Sequence, residues 1–487
     1  MPIDLRLYQQ TAINEVRRLI VHGKRRVLLC LPTGGGKTLT SGAIIAGAVA
    51  KGSRVLFVAH RKELIDQAAT ALYRLGVHPV GIIRAGDKRR NLALPVQVAS
   101  IQTLSRRKLL DPPPQIIIID ECHRALAKGY QDHLYSAYPN AIIIGLSATP
   151  CRADGKPLSG AFEHIIPAAT YSELISGGFI DTPRVYSTPM APDLSGVHTA
   201  GGDYDREELE AAVNRSALIG NIGAEWQRRA EGRRTVVFCV SVAHSLAVVE
   251  MFRGLGVKAE HLDGTTPEME RAKILGRLDR GETQLVSNVG VLCEGWDCPP
   301  VKCLAIARPT KSLSLWMQMA GRILRPWGGV EPVILDHGGN VDRHGLPHMD
   351  RTWSLEGKQK RDKAAEPPMK VCSDCFAYIP AGSRACPYCG VVAPPKEREA
   401  PKELPEVELV LRTLEGDEDK IAFWRKQVRM AKDKGWKPGT VMHRYRERFG
   451  VEAPREWWLD VKRAAGRDAE WKERIEKRKG ASDEWAA

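Results

Sequence analysis

No stretch of this sequence stays apolar long enough to cross a bilayer. The runs IIIID (116–120) and AIIIG (141–145) fall far short of the ~18–20 residues a spanning helix needs, which argues against a helical membrane protein. A secretory leader is not expected either. MPIDLRLYQQ has no basic segment followed by an apolar one, so the expected setting is the cytoplasm. Internal repeats and low-complexity tracts are absent too. With 43% hydrophobic and 27% charged residues, the composition is that of ordinary globular domains.

Disulfides are not expected either, because a reducing compartment keeps thiols free. Of the 11 cysteines, Cys372/Cys375 and Cys386/Cys389 form two tight pairs. The other seven are scattered and read as small core hydrophobes.

What is present in excess is positive charge. A net charge of +14 points to a polyanionic partner, the alternative being a merely soluble basic protein. The excess is clustered: KRR at 24–26, DKRR at 87–90, RRK at 106–108, and nine Lys or Arg against two acids over 421–450. A chain of 487 residues is too long for one core and suggests roughly three domains.

Up to about residue 180, the strand candidates RRVLLCLP, RVLFVAH, VQVAS, QIIIID and AIIIGLSATP alternate with helix candidates. That order predicts βαβ units and a parallel sheet. Residues 188–205, TPMAPDLSGVHTAGGDYD, read as an inter-domain connection. The alternation then restarts with RTVVFCVS, KAEHLDG, TQLVSNVG, VKCLAIARP and EPVILDHGG. Two α/β units in tandem make the cleft between them the natural place for a site.

The first strand candidate runs into LPTGGGKT (31–38). Gly34, Gly35 and Gly36 let backbone N–H groups close around a phosphate. Lys37 can reach the outer phosphates, and Thr38 at a helix start can offer its hydroxyl to Mg²⁺. The strict pattern is incomplete, since Leu31 stands where its first glycine would fall. A second signal is IIIIDECHRA (116–125), four isoleucines running into two acids. Unbroken apolar runs suit strands buried on both faces, and ligands bind beyond the carboxyl ends of such strands. Asp120 there suits a magnesium site, and Glu121 suits polarising the water that attacks the terminal phosphate. The alternative is a helix start with acids in its first turn. QMAGRILRP (318–326) reads as a helix with Arg322 and Arg325 on one face. That pair is either solvated or aimed at a transferring phosphoryl group.

Together these pieces resemble the superfamily 2 helicases and translocases over roughly residues 1–345. LRLYQQ looks like the adenine-reading motif, with Arg6 and Gln9. LPTGGGKT, from Thr33 to Thr38, matches motif I, DECH motif II and SATP (147–150) motif III. VAHRKEL and SIQTL match the motifs whose Arg61 and Thr103 contact a nucleic-acid backbone in the family. VVFCVS resembles motif IV. SNVGVLCEGWDCP resembles motif V, placing Gly295 and Asp297 at the nucleotide and Ser287 at the nucleic acid. QMAGRILR is similar to motif VI, with Gln318 where many relatives have His. The resemblance implies two tandem RecA-like parallel-sheet domains, ATP and magnesium as cofactors, and nucleic acid as partner. DGTTPEMER, ARPTKSLSLWMQMAGRILRP and LDHGGNVDRHGLP further resemble the RadD-type branch of bacterial DNA-repair helicases and their phage-encoded relatives. That branch implies DNA, single-stranded or branched, in a bacterial or phage-infected cytoplasm. RNA stays open as a partner, since the DExH form acts on both.

CSDCFAYIPAGSRACPYCG holds two C-x-x-C pairs ten residues apart. Each pair presents two thiolates, and two pairs complete a closed S₄ zinc site; a redox dithiol is the alternative. Beyond it lies a basic, mainly helical segment carrying six of the eleven tryptophans. Its Trp424, Trp436, Tyr445 and Phe449 either stack on unpaired bases or form the core of a small helical domain. The expected division is 1–187 and 206–350 for the two RecA-like domains, 370–391 for the zinc ribbon, 392–415 for a linker and 420–487 for the basic tail. Two rival readings remain. One is a restriction-type translocase with a nuclease tail, for which LDVK (459–462) supplies only a fragment of the needed carboxylate cluster. The other is a non-catalytic DNA-binding scaffold.

Overall fold

The computed structural model describes residues 4–152, 154–187, 192–357, 369–392 and 417–475. The chain divides into two compact units, Met1–Pro394 and Pro395–Ala487. The linker expected at 392–415 lies, but for Val392, outside the described residues.

The larger unit carries two parallel sheets. In the first, β1 (Arg26–Cys30), β2 (Val55–Ala59), β3 (Gly81–Ile83), β4 (Val96–Ser100), β5 (Ile116–Asp120), β6 (Ile142–Ser147) and β7 (His164–Pro167) lie in the order β3-β4-β2-β5-β6-β1-β7. The isoleucine run behaves as its composition demands. Ile117 and Ile119 pack into the cluster on one face and Ile118 into the cluster on the other, all three fully buried. Each contributes roughly 1.5–3 kcal/mol of apolar burial, so no polar alternation is tolerated until the strand ends at Asp120.

The chain crosses to the second sheet earlier than expected. β8 (Arg184–Ser187), which the sequence reading puts at the end of the first unit, pairs in parallel with a strand of the second. RVYS is short enough to pair at either edge, and only the free edge of the second sheet selects it. The stretch 192–205 carries a small hairpin, β9 (Thr199–Ala200) and β10 (Asp203–Tyr204). It docks on the second sheet through Asp203, which accepts from the Thr310 hydroxyl at 2.9 Å and the Lys311 amide at 2.7 Å. The second sheet adds β11 (Thr235–Phe238), β12 (Ala259–Leu262), β13 (Leu285–Asn288), β14 (Cys303–Ile306) and β15 (Val333–Asp336), in the order β12-β13-β11-β14-β15-β8.

The four-cysteine module is built on β16 (Met369–Val371) and β17 (Tyr378–Pro380), an antiparallel pair. It is not a free bead. Ala377 bridges Tyr186 of edge strand β8, and the Ser187 amide donates to the Phe376 carbonyl at 2.9 Å. Ala377 and Ile379 share the core of the second sheet. The module therefore covers a sheet edge that would otherwise invite foreign strands.

The described residues of the smaller unit carry the helices Asp417–Asp433, Pro438–Phe449 and Arg455–Arg467. Trp424, Tyr445 and Trp471 are buried in its core, with the Trp424 and Tyr445 rings edge-to-face at 5.6 Å. Core packing therefore takes two of the aromatics considered for base stacking. Trp436 is half-buried, with the Arg444 guanidinium 4.3 Å from its ring. Among the described residues no helix is long and apolar enough to cross a membrane.

Candidate nucleotide-binding site

The turn after β1 is shaped by its glycines. Gly34 and Gly36 have φ of +87° and +80°, a region that L side chains rarely enter. A Cβ on Gly36 would stand 2.4 Å from Gln9 Nε2, and one on Gly34 2.6 Å from Ile180 Cγ2. The Gly35 carbonyl accepts from the Tyr8 hydroxyl at 2.9 Å and from Gln9 Nε2 at 3.1 Å. The Gln9 Oε1 accepts from the Arg6 amide at 3.0 Å, and the Arg6 guanidinium lies 3.7 Å over the Phe179 ring. Gln9 is thus joined directly to the glycine turn, and Arg6 reaches it through Gln9 and Tyr8. Thr38, second residue of the helix Lys37–Val49, is exposed.

The acid pair meets this turn. Lys37 Nζ donates to Glu121 Oε1 at 3.2 Å, and His123 Nδ1 lies 3.5 Å from the other carboxylate oxygen. Asp120 accepts from the Glu121 amide at 3.0 Å. The two acids are driven apart electrically. Burial, and then the neighbouring Glu121 charge, raise Asp120 to about 6. Burial also works against ionising Glu121, but the Lys37 ammonium and His123 outweigh it and hold that carboxyl below its ordinary range. Glu121 has φ of +47°, a left-handed conformation costing a non-glycine residue roughly 1–2 kcal/mol. Strain of this kind gathers at functional sites.

From the second sheet, the helix Leu313–Ala320 and the short turn Gly321–Ile323 approach the glycine turn. A single helix over 318–326 does not form, because Pro326 cannot continue it and restricts the residue before it. Arg322 lies in the turn and Arg325 beyond it. The Ser314 and Thr149 hydroxyls meet at 2.8 Å, joining motif III to this helix. Gln318 is buried, and its Nε2 has no partner among the described residues. Arg322 donates to the Trp296 carbonyl at 2.6 Å and the Gln318 carbonyl at 3.1 Å, and burial lowers its pKa. Arg325 pairs with Asp297. Gly295, at φ +70°, packs on the helix Lys62–Arg74, where Gln67 Nε2 donates to its carbonyl at 2.5 Å.

Glu294 has no role in any motif legible in the sequence. Its buried carboxylate, carried by the second sheet, lies 2.7 Å from His60 Nε2, 3.0 Å from Arg61 Nε and 3.9 Å from Arg124, all carried by the first. Burial would raise its pKa, but His60 and Arg61 bring it to about 2. An acid before a glycine carries no local sign of such a role. Arg61, expected at a nucleic-acid backbone, is held here by Glu294. Thr103, in the short helix Ile101–Leu104, is half-buried. Ser287 is the third residue expected at the nucleic acid. It is fully buried, and its hydroxyl meets those of Ser245 at 2.7 Å and the Cys239 thiol at 3.3 Å. All four residues of β13 are buried, so this side chain lies within the fold on a strand covered on both faces.

In the four-cysteine module all four sulfurs lie within 4.8 Å of one another, with Cys372–Cys389 at 3.7 Å and Cys375–Cys386 at 3.5 Å. The edge of a tetrahedron with metal–sulfur bonds of about 2.3 Å is about 3.8 Å, whereas a disulfide would bring two sulfurs to about 2.05 Å. The donor set fits a tetrahedral thiolate-bound metal.

Comparison with known proteins gives two family matches: "Type III restriction enzyme, res subunit" over residues 2–152 and "Helicase conserved C-terminal domain" over residues 215–326. A 51.5 kDa protein of a Lactococcus phage is 31% identical over 364 residues, covering 74% of this chain and 76% of its own. The putative ATP-dependent helicase IRC3 of Saccharomyces cerevisiae is 31% identical, covering 66% of this chain; the chain spans about half, 49%, of that longer protein. Among solved structures, a fragment of a putative HsdR subunit of a type I restriction enzyme from Vibrio vulnificus superposes with a TM-score of 0.55 at 22% identity. The superposition covers 71% of this chain and 67% of that one, and it shows a shared fold.

Proposed function

The chain belongs to the superfamily 2 helicases, ATP-hydrolysing enzymes, and from that premise we propose that it is a motor driven along DNA by hydrolysis in the cleft between its two sheets. The observation that carries this reading is the Lys37–Glu121 contact at 3.2 Å, beside a turn whose Gly321, next to Arg322, packs against Thr33 of the glycine loop. In the proposed cycle Gly34, Gly35 and Gly36 wrap the phosphates, with Thr33 at the entry of the loop, and Lys37 neutralises the outer ones. Thr38 and Asp120 would hold magnesium, which supplies Lewis-acid stabilisation of the phosphoryl oxygens when bound. Glu121, kept ionised by Lys37, orients and deprotonates the attacking water. Arg322 and Arg325 leave their present partners to meet the charge that develops on the phosphoryl group. Arg6 and Gln9 read the base, while Gly295, Asp297 and Gln318 complete the nucleotide's surroundings. Arg61 and Thr103 contact the nucleic-acid backbone, and the buried Ser287 supports the strand behind motif V. Zinc fills the four-cysteine site as a structural ion.

The motifs shared with the RadD-type branch favour replication or repair intermediates in a bacterial or phage-infected cytoplasm, with single-stranded or branched DNA as the track. The first family match and the HsdR likeness favour a second reading, a restriction-type translocase. A nuclease would need acids clustered near Lys462, yet Asp460 is exposed and its ion-pair neighbour is Arg463 at 4.0 Å. ATP turnover titrated with single-stranded, duplex and forked DNA, and with RNA, tests the proposal. DNA-stimulated turnover abolished by Lys37→Ala is the expected result. Turnover indifferent to every nucleic acid would overturn the motor, and metal-dependent plasmid cutting would favour the second reading.

A further inference from the structure

Lys302 immediately precedes β14 and is 2% exposed. Burying an ammonium costs several kcal/mol unless it is paired and hydrogen-bonded, and such pairs add little net stability over a well-packed apolar residue. Its two partners are therefore informative. The ammonium donates to Asp181 Oδ2 at 2.8 Å and to the Arg325 carbonyl. The Asp181 amide donates to the Leu324 carbonyl at 2.6 Å. Both sides of Asp181 thus grip the end of the arginine-bearing stretch.

Asp181 belongs to the segment by which the chain leaves the first sheet, and that segment also braces the nucleotide loop. Ile180 Cγ2 fills the space beside Gly34, at 2.6 Å from where a Cβ would stand. Phe179 lies beneath Arg6 and 6.0 Å from the ring of Tyr8, whose hydroxyl holds Gly35. Three consecutive residues therefore join base-side, phosphate-side and arginine-side elements.

We propose that Lys302 is a positioning residue for ATP hydrolysis: through Asp181 it ties the stretch carrying Arg322 and Arg325 to the chain segment that braces the phosphate loop. The proposal rests on the reading of those arginines given above. With the tie intact, the arginines meet the loop in the same register each time the cleft closes. With it cut, the stretch can drift, while the loop still binds ATP through contacts that Lys302 does not make.

The experiment is steady-state hydrolysis with saturating DNA, comparing wild type, Lys302→Met, Asp181→Asn and the double variant. Arginine contacts made only in the transition state affect kcat and spare KM. Lys302→Met is expected to lower kcat at least tenfold with KM for ATP within twofold, and the double variant to be no more than twofold worse. A kcat within twofold of wild type, a rise in KM, or multiplicative losses in the double variant would overturn the proposal. Should Lys302→Met fail to fold, Asp181→Asn decides alone. It keeps the bond to the Arg325 carbonyl, and an unchanged kcat would sink the link. A wild-type protein without turnover instead defeats the motor reading and is recognised before any variant is compared.

Discussion

Gly321 approaches Thr33 so closely that a Cβ on the glycine would stand 2.7 Å from the threonine's Cβ and Cγ2. The backbone of Gly321 is otherwise ordinary, with φ of −63°, so its missing side chain serves the approach of the two sheets and not a turn. Gly321→Ala is expected to hold the cleft ajar and lower kcat by tenfold or more, since near-attack geometry is lost with displacements of about 1 Å. Thr33→Ser in the same chain should recover part of the loss by removing the obstructing methyl. Single-turnover hydrolysis checks both, and a Gly321→Ala enzyme with wild-type rate would show that the sheets do not close on this contact.

The split between the two acids sets a pH dependence. Asp120, raised to about 6, is ionised above that value and protonated below it in the nucleotide-free protein. Protons then compete with magnesium, so the apparent magnesium constant should rise about tenfold per unit as pH falls below ~6. Glu121, already held low, should contribute no inflection in that range. Magnesium titration of ATP turnover between pH 5 and 8 measures this. Glu121→Gln should bind ATP yet hydrolyse it about 10²–10⁴-fold more slowly; undiminished turnover would remove Glu121 as the base.

Glu294 links the sheets through His60 and Arg61, and its pKa is lowered from 4.5 to about 2. A depressed acid stabilises the fold above its ordinary pKa, and that contribution disappears as pH falls from ~4.5 toward ~2. Glu294→Gln should therefore lower the thermal midpoint at pH 7, with the gap to wild type closing as pH drops through that window. The same variant frees Arg61, and DNA-free ATP turnover should change in a way that DNA no longer enhances as strongly. Calorimetry against pH and turnover with and without single-stranded DNA test the two parts.

The thiolate module should act as a stopper on β8. Stripping its metal with a chelator, or replacing Cys375 with Ser, is expected to lower the thermal midpoint of the larger unit by several degrees. It should also speed hydrogen exchange at the Ser187 amide, which donates to Phe376. Unchanged exchange at Ser187 would show that the module rides on the sheet without sealing it.

Some of this was written plainly in the chain. Ile116–Ile119 ending in Asp120, and Leu31–Thr38 with its three glycines, specify both a strand or turn and the chemistry at its tip. The requirement there is local: apolar faces on both sides of one strand, positive φ beside a phosphate, a lysine at a helix start. Four cysteines at fixed spacing are equally local. Local pattern left Trp424 and Tyr445 undecided, because a basic amphipathic helix has the same sequence whether its aromatics meet bases or each other.

The sequence by itself therefore determined the two sheets, the loop, the acid pair and the thiolate cluster. Only tertiary structure decided the edge that takes β8, the burial of Ser287, and the pairings of Glu294 with Arg61 and of Lys302 with Asp181. Each of those pairings joins residues more than 100 positions apart. Their choice follows from which surfaces come into contact once both sheets have formed, and side-chain spacing along the chain carries no record of that contact.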